Sequence, residues 1–331
     1  MSEIDLLHPG HLFMIGLPQP ELDDSTLQLI REKSVHNFII FRRNVVDREQ
    51  MAKLCASLVK ACLAQGLPRP IISIDQEGGQ VARLPLPFTQ FPEPRTLAEE
   101  GDPEAVLAEY AAVCARELLE VGVNMNLAPV LDICAAGQGL FMERRCLGDD
   151  PQRVAELGRV VITGLQNAGV AACAKHFPGL GAAVLDPHSD LPVVDLDVEH
   201  FEKVAMAPFR MAAEIGVAAF MTSHAVYSDF APNIPGTLSY KVVGDLVRRQ
   251  CRYEGLIITD DLEMGAIEKF MSFPQAALQA LLAGADILLV CHDHDKVRAA
   301  LAALETALRD GVFDASRIED SLARQAKALI P

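Results

Sequence analysis

"LIITDDLE", Leu256 to Glu263, decides how this chain folds. Its apolar residues run on without polar alternation, the pattern of a strand covered on both faces rather than one half exposed to water. The run then stops abruptly at two carboxylates. The same signature recurs seven more times: "HLFMIG" (His11–Gly16), "NFIIFRRN" (Asn37–Asn44), "PIISIDQEGG" (Pro70–Gly79), "VNMNLAPVLD" (Val123–Asp132), "VAACAKHFPG" (Val170–Gly179), "AAFMTSHA" (Ala218–Ala225) and "DILLVCHD" (Asp286–Asp293). Between the runs lie helical patterns such as Pro103 to Val121, Pro151 to Ala168, Val198 to Ile215 and His294 to Leu308. Strand and helix alternate at the spacing of crossover units in a parallel sheet.

Length and apolar content alone leave open two average domains or one large barrel, since 331 residues that are 50% hydrophobic can fill a core either way. Eight strands with intervening helices and no Ser/Gly or charged linker predict a single α/β domain over residues 1–331, a (β/α)8 barrel, rather than two doubly wound sheets. In such a barrel the polar residues just past each strand line the mouth. Asp75, Asn126, Lys175, His176, His224, Asp260, Asp261 and His292 are therefore expected to converge on one pocket.

The formal charge of −16 and the absence of any Lys/Arg stripe exclude a nucleic-acid surface, because phosphate binding needs concentrated positive charge. Eight cysteines, at 55, 62, 114, 134, 146, 173, 251 and 291, form no CxxC pair and mostly sit in apolar patterns. They read as buried thiols of a reducing cytosol. The amino terminus, "MSEIDLLHPGHLFMIG", carries acids where a signal peptide needs bases, and no apolar run reaches membrane-spanning length. A soluble, cytoplasmic protein with no membrane partner is expected.

Several residues could carry chemistry. Asp260, at the end of a doubly buried strand, could act as nucleophile or base, or as a cap for the next helix; of the adjacent pair Asp261 is the better cap. "DPH" puts Asp186 where it can accept a proton from one ring nitrogen of His188, fixing its tautomer and leaving the other nitrogen to shuttle protons. Lys175 could form a Schiff base, clamp a polar substrate, or pair with a neighbouring strand-end carboxylate. "DQEGGQVARL" lacks the glycine spacing and terminal Lys-Ser/Thr of a phosphate loop, so Asp75 reads better as a sugar-hydroxyl acceptor. "CHDHD", Cys291 to Asp295, has no second ligand group at a spacing that closes a metal site, and no metal or other cofactor is expected.

With "DQEGGQVARL", "NLAPVLD", "KHFPGLG", "DPH" and "ITDDLEM" in this order, the chain resembles family 3 glycoside hydrolases, and among them the single-domain bacterial β-N-acetylhexosaminidases of cell-wall recycling. The likeness runs from "FIIFRRNV" through "AGADILLVCHD". It implies a retaining exo-β-N-acetylglucosaminidase acting on a small carbohydrate, with muropeptides as the natural substrate. Asp260 matches the nucleophile, His188 the general acid/base and Asp186 its partner carboxylate. Asp75, Arg83, Arg145, Lys175 and His176 match sugar-binding positions.

Three departures stand out. Leu180 occupies a position where the family usually has histidine, Pro187 stands where the dyad's middle residue is usually serine, and Cys146-Leu147 replaces Ser-Phe after Arg145. Rival readings are a family 3 β-glucosidase, a phosphorylase using phosphate in place of water, a Schiff-base lyase working through Lys175, and a sugar-binding barrel without turnover.

Overall fold

Each apolar run becomes a short strand, and the alternation of side chains along it is what builds a closed sheet with two separate cores. The computed structural model describes residues 7–181, 183, 191–195 and 201–329. Its barrel strands are β1 (Phe13–Gly16), β2 (Asn37–Ile40), β3 (Ile72–Ile74), β4 (Met125–Asn126), β5 (Ala171–Phe177), β6 (Ala219–Thr222), β7 (Leu256–Ile258) and β8 (Leu288–Val290). They pair in parallel in sequence order, β8 pairs back onto β1, and a parallel bridge from Ile258 to Ile287 closes the ring. Met14, Ile39, Met125, Cys173, Met221, Ile258 and Leu289 point inward to fill the barrel. Their strand neighbours Phe13, Ile15, Phe38, Ile40, Ala172, Phe220 and Ile257 point outward into the layer shared with the helices. Both faces are dry, which is why these strands carry no polar alternation.

The helices wrap outside: α1 (Asp24–Lys33), α2 (Arg48–Ala64), α3 (Pro103–Glu120), α4 (Pro151–Asn167), α5 (Ala207–Glu214), α6 (Phe273–Ala283), α7 (His294–Arg309) and α8 (Ser316–Ala328). A π-helical segment, Lys241–Gln250, takes the place of a crossover helix between β6 and β7. Asp23, Asp47, Asp102, Asp150 and Asp293 each accept a backbone N–H in the first turn of the following helix. Such a cap contributes about 1 kcal/mol. The helical pattern read over Val198 to Ile215 is broken in two: π-helical over Phe201–Ala205, then α5.

Helix α8 has no strand partner and lies across the amino-terminal end of the barrel. Gln325 donates to the His11 carbonyl at 2.9 Å and accepts from Asn37 Nδ2 at 3.0 Å, and Ala328 joins the inward-facing core. Beside it Asp286, fully buried, meets Arg248 at 2.6 Å, Arg317 at 3.1 Å and Arg324 at 3.0 Å. One end of the barrel is thereby sealed, and the open end lies at the carboxyl termini of the strands.

Candidate active site

Beyond β3 the chain places Asp75 and then turns through a two-strand hairpin, Gln76–Gly78 against Val81–Ala82. Gly78 and Gly79 supply the turn at φ +112° and +54°, where a Cβ on Gly78 would sit 2.5 Å from the Pro92 carbonyl oxygen. The hairpin brings Arg83 back to Asp75 at 3.2 Å. From β5, the Lys175 ammonium reaches Asp75 at 2.8 Å and Glu77 at 2.6 Å. Glu77 in turn takes Arg145 in a two-pronged contact, at 2.8 Å and 2.9 Å.

Arg83, Asp75, Lys175, Glu77 and Arg145 thus alternate in sign along one chain of contacts. Lys175 is 1% exposed, and burial by itself lowers its pKa. The two carboxylates overcome that and raise it above the ordinary lysine range. Burial likewise pushes Asp75 and Glu77 up, but Lys175 and the arginines hold Asp75 well below the usual carboxylate range and Glu77 at about 2. Asp75, Glu77, Lys175 and Arg145 are thus held in their charged forms, and an ammonium paired with two carboxylates has no free lone pair for the attack that the Schiff-base reading needs.

At the end of β5, His176 Nδ1 lies 2.7 Å from Asp132, a buried carboxylate that also accepts the His176 and Leu180 amides. Because Asp132 holds Nδ1, the imidazole turns Nε2 toward Arg145, 3.5 Å away. Past β7, Asp260 receives the Asp261 amide at 2.8 Å. Burial raises its pKa, but His176, His224, that amide and Lys175 outweigh burial and leave Asp260 ionised below the ordinary aspartate range. Asp261 behaves oppositely: burial, with Glu263 and Asp260 nearby, pushes it up to about 7. Its Oδ1 accepts the amides of Glu263 at 3.1 Å and Cys291 at 3.3 Å, so it ties down the strand-end turn instead of capping the following helix as expected: that helix, Gly265–Glu268, starts after Met264 with no side-chain cap.

Asp75, Arg83, Arg145, Lys175, His176 and Asp260 line one cavity of about 180 Å3, together with Phe41, Leu180, Met221, Met264, Asp261 and His292. Asp186 and His188, with Pro187 between them, lie outside the described residues. Two of the eight residues expected at the mouth are elsewhere. Asn126 points away from it, bonding the Gln76 amide and carbonyl at 3.0 Å each, and His224 is buried behind the wall. Both sit at strand ends, but a strand-end side chain faces the mouth only if its position in the two-residue alternation turns it inward.

Glu77 and Asp132 organise the site without having stood out in the sequence. Glu77 falls two residues after Asp75 and hence on the same face, and Asp132 ends its run as Asp260 does. Within "CHDHD", Asp293 caps α7, and His294 bonds Ser25 and the Gly16 carbonyl, both at 2.9 Å. Among the described residues no group of His, Cys, Asp and Glu has the arrangement of a metal site. The cavity thus joins an ionised, oriented carboxylate to a wall of fixed hydrogen-bonding charges and an apolar side of Phe41, Met221 and Met264, a surface matched to a polyhydroxylated ring.

Residues 9–328 match the model of the glycosyl hydrolase family 3 N-terminal domain. The chain is 34% identical over 317 residues to a β-hexosaminidase of Nitrosomonas eutropha, covering 94% of this chain and 89% of that one. A Pseudomonas aeruginosa β-hexosaminidase is 33% identical over 279 residues, covering 84% and 81%. Among solved structures, a family 3 β-N-acetylglucosaminidase from Paenibacillus superimposes with a TM-score of 0.94 at 38% identity. That match covers 99% of this chain, which spans only 62% of the Paenibacillus one. A β-N-acetylhexosaminidase from Beutenbergia cavernae superimposes with a TM-score of 0.90 at 28% identity, covering 99% of each chain.

Proposed function

Because the chain belongs to glycosyl hydrolase family 3 and is a glycoside hydrolase, we propose that it releases terminal β-linked N-acetylglucosamine with net retention of configuration, Asp260 being the nucleophile. The observation that carries this reading is the ionised Asp260, held by the Asp261 amide in a cavity walled by Asp75, Arg83, Lys175, His176 and Arg145. A carboxylate that stays charged when buried is available to attack, and the fixed charges around it orient sugar hydroxyls without rearranging. The names of the β-hexosaminidase and β-N-acetylglucosaminidase relatives support the acetamido sugar.

In the first step an Asp260 oxygen bonds to the anomeric carbon as the bond to the leaving oxygen breaks, and that oxygen takes a proton from His188. In the second, water attacks the same carbon, gives a proton back to His188 and frees Asp260 as carboxylate. Asp186 holds the His188 tautomer. We further propose that the enzyme acts in the cytoplasm on peptidoglycan-derived muropeptides, a setting supported by the resemblance to cell-wall recycling enzymes and by eight unpaired thiols, seven of them buried.

The test is nitrophenol release from aryl β-N-acetylglucosaminide and aryl β-glucoside by wild type and Asp260→Ala, with the first sugar product followed by NMR. Expected are preference for the acetamido sugar, the β-anomer appearing first, and a loss on the order of 10³-fold or more in the variant. Preference for the glucoside, the α-anomer first, or a sugar 1-phosphate formed when phosphate is added would each overturn the proposal.

A further inference from the structure

His224 stands just beyond β6, is buried, and is absent from the cavity wall, yet both ring nitrogens are engaged. Nε2 lies 2.8 Å from the Asp261 carbonyl oxygen. A carbonyl only accepts, so Nε2 carries the proton. The amide of the same residue, Asp261, donates to Asp260 Oδ1 at 2.8 Å. His224 therefore grips the residue whose N–H sets the orientation of the Asp260 carboxylate.

Behind His224 the contacts continue into the barrel frame. Nδ1 is 2.8 Å from Thr237 Oγ1, which is also 2.8 Å from Thr222 Oγ1 and 2.9 Å from the Ser223 carbonyl oxygen. These contacts hold the Thr237 hydroxyl between the His224 ring and the end of β6. Its own backbone is fixed, the Thr237 amide donating to Ser223 at 2.9 Å and the Gly236 amide to Ala225 at 2.8 Å. The anchor of the chain is thus β6, while its far end is the strand-end turn after β7.

We propose that Thr237 and His224 form a buried positioning relay for the Asp260 carboxylate. His224 is then a positioning residue, acting through the Asp261 peptide without touching substrate. Holding one carboxylate oxygen by the Asp261 amide leaves the other directed at the reacting carbon, and misplacement of that oxygen by about 1 Å costs on the order of 10²-fold in rate. The inference rests on the reading of Asp260 as nucleophile.

The test measures kcat and KM separately on aryl β-N-acetylglucosaminide for Thr237→Ser, Thr237→Val and His224→Leu, beside Asp260→Ala. Expected are Thr237→Ser within about threefold of wild type, kcat lowered about 10-fold in Thr237→Val and about 10²-fold in His224→Leu, and KM within about threefold throughout. If His224→Leu does not fold, the Thr237 pair decides, because only the valine loses the hydroxyl. Unchanged kcat in Thr237→Val, an equal loss in Thr237→Ser, or a loss confined to KM would overturn the relay while Asp260→Ala stays inactive. Full turnover by Asp260→Ala would instead overturn the assignment of the nucleophile, and the relay with it.

Discussion

At the scale of single residues, the adjacent pair Asp260 and Asp261 shows how position rather than type sets chemistry. Both carboxyls are buried, but Asp260 faces His176, His224 and Lys175, whereas Asp261 faces Glu263 and Asp260. The first is held ionised and the second keeps its proton up to about pH 7. A carboxyl whose pKa is raised by folding contributes stability that is fully present below its unfolded value, near 4, and is lost as pH rises through about 7. Asp261→Asn, which keeps an acceptor for the two amides, is therefore expected to reduce the loss of stability between pH 5.5 and pH 8 by on the order of 2 kcal/mol. Urea unfolding of both proteins at the two pH values measures it; parallel losses in wild type and variant would refute it. From the sequence the pair divides into a candidate for chemistry and a candidate cap, but the opposite shifts of the two carboxyls were not legible, because they depend on the long-range neighbours His176, His224 and Lys175 that the barrel brings to Asp260.

At the scale of elements, the loop after β4 that delivers Arg145 is held from a distance. Arg95 donates through its guanidinium to the Cys134 and Glu143 carbonyls, and its amide donates to the Arg144 carbonyl at 3.1 Å. Glu143 folds the loop on itself by accepting the Gly137 and Gly139 amides at 2.6 Å and 2.8 Å. Arg95→Ala is expected to weaken sugar binding, raising KM about 10-fold with a smaller change in kcat, because Arg145 loses its fixed approach to Glu77. A KM equal to wild type in steady-state kinetics would exclude that role. Strands and most helices were legible here, since "LIITDD" and its seven counterparts report burial directly and Pro103 and Pro151 mark helix starts. The loop was not, because Arg95, Glu143 and Arg145 meet through contacts with no period, and "GQGLFMERRCLGDDP" matches the family pattern loosely.

At the scale of the whole molecule, opposing titrations set the pH range of stability. Asp75, Glu77 and Asp260 are held below their ordinary values, so they contribute stability that is present above about pH 4 and is lost as pH falls through their folded values. Asp261 and the self-repulsion of a chain with net charge −16 act at the other side, weakening the fold as pH rises. The melting temperature is accordingly expected to be higher at pH 5.5 than at either pH 3 or pH 8, as calorimetry across that range would determine; a monotonic rise to pH 8 would contradict the balance. The barrel was readable because eight similar runs leave few topologies, and six of the site residues followed from the rule that strand ends meet at its mouth. The partners of those residues were not, since Lys175 finds Asp75 and Glu77 across a separation of about 100 positions that only closure of the ring abolishes.

The seal formed by α8 also bears on the order in which the molecule can be assembled. Asn37 on β2 and the His11 carbonyl beside β1 belong to the earliest part of the chain, yet both are answered by Gln325, near its end. A polypeptide emerging amino end first exposes these groups, with the inward faces of β1 and β2, until α8 arrives. Folding during synthesis can prepare the strands and their flanking helices, but the barrel is completed only by a late act of docking.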